Sequence, residues 1–269
     1  MLEYLVRTSH LPRPLPSGRW RVTQRWNDLL YAHWPVEPAA IARLLPEGLQ
    51  VDTFEGSAWL GILPFWMDRI KLRGLPSIPG ARTFPELTVR TYARDQQTGV
   101  PGLWFLSLDA NNLLAAAVGR AFYRLPYHWA QMSLEQRTER EFSFYSRRRF
   151  ASQPVLFQAR YRGLGPTPKL AENRIGTLEH FLLERHCLYS INQAGEPIRA
   201  NLHHVSWPLE DAAAEIEQND LAKAAGIHLG SHAPVLHYCR RMAVYAWPAE
   251  RVRPLLVARP VAVAATPSG

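Results

Sequence analysis

Thr177-Leu178-Glu179-His180-Phe181-Leu182-Leu183-Glu184-Arg185-His186-Cys187-Leu188-Tyr189-Ser190 contains no glycine or proline, and Ile198 to Trp207 follows it across the turn Asn192-Gln193-Ala194-Gly195. Rich in aromatic and aliphatic side chains and broken only at that turn, residues 176 to 207 read as a long antiparallel strand pair. At period 2, His180, Glu184 and His186 share a face with Leu178, Leu182 and Leu188. Glu179 and Arg185 share the other with Phe181, Leu183 and Cys187. Mixed polar and apolar groups on both faces suit the wall of a closed barrel better than a sheet with one wet side.

Working outward, strands follow strands with few helices between them. Trp26 to Val36 is a strand, and Pro38 opens a short helix with the stripe Ile41, Leu44 and Leu45 that Pro46 and Gly48 end. Ala58 to Met67 is almost wholly apolar, so both its faces are expected to be covered. Phe84 to Arg94 alternates sharply, with Glu86, Thr88, Arg90 and Tyr92 on one face. A turn near Gln97-Thr98-Gly99 returns it to Leu103–Asp109. Asn111 or Asp109 then caps a helix whose buried side is expected to be Leu114, Ala117, Val118, Ala121 and Phe122. Leu125-Pro126-Tyr127-His128-Trp129 leads into another strand, and Glu141 to Phe150 with Pro154 to Arg162 form a hairpin. A helix from Pro208 to a stop at Gly226 and a closing strand from Val235 to Trp247 complete the reading. The expectation is one α+β domain: a mostly antiparallel barrel over residues 19–250 with about three helices outside it, a Pro-rich arm over 1–18 and a tail over 251–269.

Composition bounds the function. With 47% apolar residues, nine Trp, ten Tyr and ten Phe in 269 residues, a large core needs neither disulfides nor a structural metal. Cys187 and Cys239 lie in apolar runs and read as buried free thiols, a single disulfide being the lesser reading. The net charge of +8 is nearly all arginine, since Lys71, Lys169 and Lys223 are the only lysines. The clusters at Arg137-Arg140 and Arg147-Arg149 read as ion-paired faces, so no nucleic-acid partner is expected. Neither a leader nor an apolar run near the ~20 residues of a membrane span is visible, so the expectation is a cytoplasmic protein with no membrane partner. Whether copies associate into a homo-oligomer is left open.

Several words in order, Leu30-Tyr31-Ala32-His33-Trp34-Pro35-Val36, Leu45-Pro46-Glu47-Gly48-Leu49, Phe84 to Tyr92, Phe105 to Ala110 and Thr177 to Leu182, resemble the YqjF-like family of uncharacterised proteins. That family is similar to the acetoacetate-decarboxylase-like superfamily, which implies a cone-shaped, mostly antiparallel barrel around a closed pocket. The resemblance puts Glu86 at a pocket glutamate and sets Val118 to His128 beside the decarboxylases' Val-Gly-Arg-Glu word, which runs into Pro-Lys-Lys. Here the two lysine places hold Tyr127 and His128, and neither a phenol nor an imidazole forms an iminium. Decarboxylation through a lysine Schiff base is therefore excluded at this site.

The candidate catalytic residues are Glu86 as acid or base and Tyr127 as hydrogen-bond donor to a substrate oxygen. Glu86 and Arg90 share a face, which reads either as a polarised pair at a pocket or as a structural ion pair plugging the barrel. Candidate ligand-binding residues are Arg90, Arg25, which the resemblance matches to a substrate-contacting arginine, His33 and Trp34 near the pocket mouth, and His128. Because Tyr127 and His128 alternate, only one faces the pocket, and the resemblance favours Tyr127. No cofactor or metal is expected: there is no HExxH or CxxC, and histidines alternating along strands do not converge on an ion. Ser107-Leu108-Asp109 lacks a G-x-S-x-G elbow, and Gly163-Leu164-Gly165-Pro166 precedes no helix, so hydrolase and nucleotide readings fall away. What remains is a barrel binding a small carboxylate- or carbonyl-bearing molecule, as a receptor or as a lysine-free lyase, hydratase or isomerase. The alternative is an inert structural or interaction protein; a hollow with Glu86 at its wall favours the first and a lumen packed solid favours the second.

Overall fold

The computed structural model describes residues 5–75, 83–166 and 175–252. In chain order the strands are β1 Val22–Val36, β2 Leu49–Val51, β3 Ala58–Leu72, β4 Thr83–Asp95, β5 Pro101–Ala110, β6 Tyr127–Gln136, β7 Glu141–Arg148, β8 Leu156–Gly165, β9 Cys187–Ile191, β10 Pro197–His203, β11 Glu210–Asn219, β12 Val235–Ala246 and β13 Glu250–Arg251. Four helices accompany them among the described residues: α1 Pro38–Ala42, α2 Leu113–Tyr123, α3 Leu178–Leu183 and α4 Leu221–Ala224. All thirteen strands join one sheet. Its hydrogen bonding returns on itself through β4-β5-β6-β7-β8-β11-β12-β1-β3, a closed barrel of nine strands that leaves no open edge along that path. Pairing is antiparallel except where β5 meets β6 and β9.

β9 and β10 close a second, smaller circuit by bridging β5 to β12. The shared wall of β12, β1, β3, β4 and β5 is therefore covered on both faces, which is why Ala58 to Met67 carries so few polar residues. One core joins alternate wall residues to β6, β7, β8 and β11, with Phe142, Phe144, Phe157 and Tyr161 at its centre. The other joins the opposite residues to α2, α3, β9 and β10.

The two longest strands do not keep one alternation throughout. In β1, Val22 and Trp26 face the second core before Asp28, but Leu29 and Tyr31 face it afterwards. Asp28 adopts φ +49, and the β1–β3 register shifts between Asn27 and Ala32. A bulge at a left-handed residue inserts an extra position, bends the strand and exchanges its faces. Asp28 is held there: its carboxylate accepts from Trp66 Nε1 at 2.7 Å and Tyr238 OH at 2.5 Å, and its carbonyl from Tyr161 OH at 2.7 Å. Arg69, at φ +51, does the same in β3 between Met67 and Ile70.

Two segments depart from the sequence reading. The first half of the supposed long strand is α3: Thr177 caps it, its side chain accepting from His180 N at 3.2 Å, and Glu179 sits in the first turn. A six-residue helix is marginal alone. It persists because Leu182 and Leu183 are buried and because neighbouring side chains satisfy its last carbonyls. Tyr92 OH donates to Leu182 O at 2.9 Å, Arg185 Nε to Phe181 O at 2.6 Å and Trp207 Nε1 to Leu183 O at 2.8 Å.

Conversely, the helix expected from Pro208 is strand β11 followed by the short α4, with Gly226 just beyond its end. Alanine and glutamate favour a helix, but the barrel needs a strand between β8 and β12. The alternation is legible afterwards: Ala212, Ala214 and Ile216 pack inward, while Glu215 and Glu217 pair with Arg160 outside. In α2 the cap is Asn112, and the buried side is Ala115, Ala116, Gly119 and Tyr123 rather than the larger Leu114 stripe. Both cysteines are buried free thiols. The expected tail lies outside the described residues beyond Val252, as does Lys169.

Candidate functional site

β4 enters the second core with Glu86, Thr88 and Arg90 on one face, as its alternation requires, and those three side chains line a cavity of about 80 Å³. Trp26, Phe105 and Tyr127 contribute to the mostly apolar remainder of the wall. By volume the cavity admits several waters, or a molecule on the order of half a dozen non-hydrogen atoms.

Glu86 is 2% exposed, and its Oε2 accepts a hydrogen bond from Tyr127 OH at 3.0 Å. Burial pushes its pKa up to about 8, against the Tyr127 bond and with a smaller contribution from Asp109. At neutral pH the carboxyl therefore holds its proton and can give it up. Tyr127 is held well above the ordinary phenol range, first by burial and then by Glu86, so it stays protonated and able to donate. One edge of its ring presses against α2 at Gly119: a Cβ built there would sit 2.3 Å from Tyr127 Cε2, so only glycine allows the approach. Arg120 also donates to the Tyr127 carbonyl and fixes the start of β6.

The expected Glu86–Arg90 ion pair does not form. Glu86 turns to Tyr127, while the Arg90 guanidinium donates through Nη2 to Leu182 O at 3.3 Å and lies over the rings of Tyr31 and Tyr92 at 5.5 and 5.9 Å. Arg90 is 3% exposed, its Nε has no hydrogen-bond partner, and no carboxylate lies within 4 Å of it among the described residues. The other buried arginines behave differently: Arg185 binds Asp52 at 2.5 Å and Arg148 binds Asp109 at 2.8 Å. Arg148 Nη2 also occupies Ser107 Oγ at 2.5 Å, which removes that serine from any triad. Burial lifts Asp109 to about 6 despite its partner.

Of the remaining expected ligand-binding residues, none lines the cavity. Arg25 points to the opposite face of β1, where Asp68 takes both arms of its guanidinium; Gln24 and Trp26 hold the inward positions instead. Trp34 falls on the far face because the bulge at Asp28 exchanged the alternation, and it packs in the other core. His33 is fully buried against Tyr31 and Tyr92, with Nε2 2.8 Å from Tyr92 OH. Burial first, then Arg90 and His237, lower its pKa well below the usual imidazole value, so it stays neutral. His128 is exposed near the start of β6, its pKa lowered to about 4 by partial burial and then by Arg148 and Arg120. The residues missed are Trp26 and the Tyr92–Leu182 contact that aims Arg90; the first was hidden by the bulge and the second by the helical turn read as strand.

This architecture can be set beside known proteins. The model of DUF2071, an uncharacterized conserved protein family, matches residues 23–243. The chain belongs to this family. The uncharacterized protein YqjF of Bacillus subtilis (strain 168) is 39% identical over 234 residues, covering 87% of this chain and 93% of that protein. Among solved structures, acetoacetate decarboxylase from Legionella pneumophila superposes with a TM-score of 0.57 at 13% identity, covering 92% of this chain and 94% of that one. The enduracididine biosynthesis enzyme MppR, complexed with pyruvate, gives 0.59 at 11% identity, covering 91% and 94%. At such identities the DUF2071 chain shares the acetoacetate-decarboxylase-like fold with these proteins, and nothing finer follows from the likeness. Among the described residues no lysine lines its cavity: Lys71 and Lys223 are exposed. No helix among the described residues is long and apolar enough to cross a membrane.

Proposed function

We propose that the cavity binds a small organic acid, with its carboxylate on Arg90 and a carbonyl or hydroxyl oxygen within reach of Glu86 and Tyr127. The supporting observation is Arg90, a buried cation at the cavity wall with no carboxylate partner among the described residues, in a protein whose other buried arginines each have one. A charge left so is costly, and a ligand anion is the partner the geometry leaves room for. Bidentate pairing with a planar carboxylate suits a guanidinium in a desolvated site. Glu86, neutral near pH 7, adds a proton to give or a hydrogen bond to donate, so the reading extends to a lyase, hydratase or isomerase step that needs no amine. Pyruvate in MppR is a ligand of the right size and functional groups within the same fold.

Thermal-shift measurements with pyruvate, other short oxo and hydroxy acids, and their neutral amides test the proposal. Acids are expected to raise the melting temperature where amides do not, and Arg90→Met is expected to abolish the shift while its own apo protein stays folded. If no acid shifts the wild type, or the shift survives Arg90→Met, the proposal fails and an inert barrel is the better reading.

A further inference from the structure

On the far side of Leu202 from the cavity, a cleft of about 320 Å³ opens between residues 11–17 of the arm and the start of β9. Glu184 and His186 line it, and His10 of the arm leans in above them. We propose that His10, Glu184 and His186 form a binding site for a divalent transition-metal ion of the zinc class, which fastens the N-terminal arm to the barrel.

One donor atom from each of the three residues lies within 4.8 Å of the others. Glu184 and His186 are already spaced for an ion: Oε2 and Nε2 are 3.4 Å apart. That equals the edge of a tetrahedron with bonds of about 2.0–2.2 Å to nitrogen and oxygen. Glu184 is the cap residue ending α3 and His186 precedes β9, so both lie in the non-strand link, whose course brings the two side chains together. The Glu184 carboxylate stands beside His186 Nε2, and Nδ1 makes no hydrogen bond, an expensive condition for a mostly buried imidazole.

His10 is oriented as ligating histidines are. Its Nε2 lies 2.7 Å from His204 O, and donating there leaves the lone pair on Nδ1. Its ring packs 5.4 Å from that of His186, so an inward movement of roughly 1 Å completes the set. His204 takes no part, since its ring nitrogens face the carbonyls of Val205 and Arg185 at 2.9 and 3.3 Å. Two imidazoles and one carboxylate suit zinc, cobalt or nickel rather than calcium or magnesium, and the cleft leaves a fourth position for water.

The full-length protein, stripped with chelator and dialysed against zinc or cobalt, provides the test. One equivalent of zinc should remain after gel filtration, and the cobalt form should show the intense visible bands of a four-coordinate ion. His10→Ala sits on the arm, outside the core, and should weaken binding at least tenfold; Glu184→Gln should abolish it, and His232→Ala at an exposed histidine should change nothing. Zinc should also slow proteolysis of the arm in the wild type but not in His10→Ala. Less than a tenth of an equivalent retained by wild type, or equal binding by folded His10→Ala, overturns the proposal.

Discussion

Replacing Glu86 by Gln tests the cavity without a ligand in hand. In the folded protein the carboxyl titrates near pH 8, whereas in the unfolded chain it ionises near its ordinary value of 4.5. Between those values the unfolded state has released a proton that the folded state keeps, so wild-type stability falls as pH rises. Nothing is lost below about pH 4.5, the loss grows across the interval, and it levels off above about pH 8. At about 1.4 kcal/mol per unit, the loss is about 3 kcal/mol at pH 7 and about 5 kcal/mol once both states are ionised. Glutamine keeps an acceptor for Tyr127 OH and has no proton to release. The variant should therefore match wild type near pH 4.5 and exceed it by about 3 kcal/mol at pH 7, with the Asp109 contribution common to both and cancelling. Urea unfolding at several pH values, followed by tryptophan fluorescence, measures the difference. Parallel stability curves from pH 5 to 8 would show that Glu86 is ionised in the fold, with Arg90 as its partner, and would refute both the neutral carboxyl and the free guanidinium. Ligand-induced stabilisation should be lost in the same variant.

Gly119→Ala should destabilise by about 1–3 kcal/mol and displace the Tyr127 ring from Glu86, because the new methyl meets a buried aromatic edge; thermal unfolding and loss of ligand response check it. Arg148→Met leaves Asp109 buried without its partner and should cost about 3–5 kcal/mol near pH 8 but less at pH 5, where the carboxyl is neutral in the fold; unfolding at the two pH values measures this. Borohydride reduction in the presence of acetoacetate should leave the intact mass unchanged, since no lysine lines the cavity among the described residues; an adduct on any lysine would restore Schiff-base chemistry.

The alternation in residues 83–95 placed Glu86 and Arg90 on one buried face without help from any other part of the chain, because a strand's period of two is a local property. The apolar run at 58–67 announced a doubly covered strand for the same reason. Tertiary structure decided what local rules leave degenerate. Thr177 to Leu183 could serve as strand or helix, and the carbonyl-satisfying side chains of Tyr92 and Trp207, distant in sequence, chose the helix. Glu210 to Asn219 favours a helix by propensity, and ring closure between β8 and β12 made it a strand. Arg25 was expected at the ligand by resemblance and Trp34 near the pocket mouth; Asp68 holds Arg25 on the other face, and Trp34 lies beyond a bulge that depends on the hydrogen bonds of Trp66, Tyr161 and Tyr238, which no reading of β1 alone contains. The partner of Glu86 was likewise a matter of which side chain arrives first within reach, and a helix bearing Gly119 let it be Tyr127.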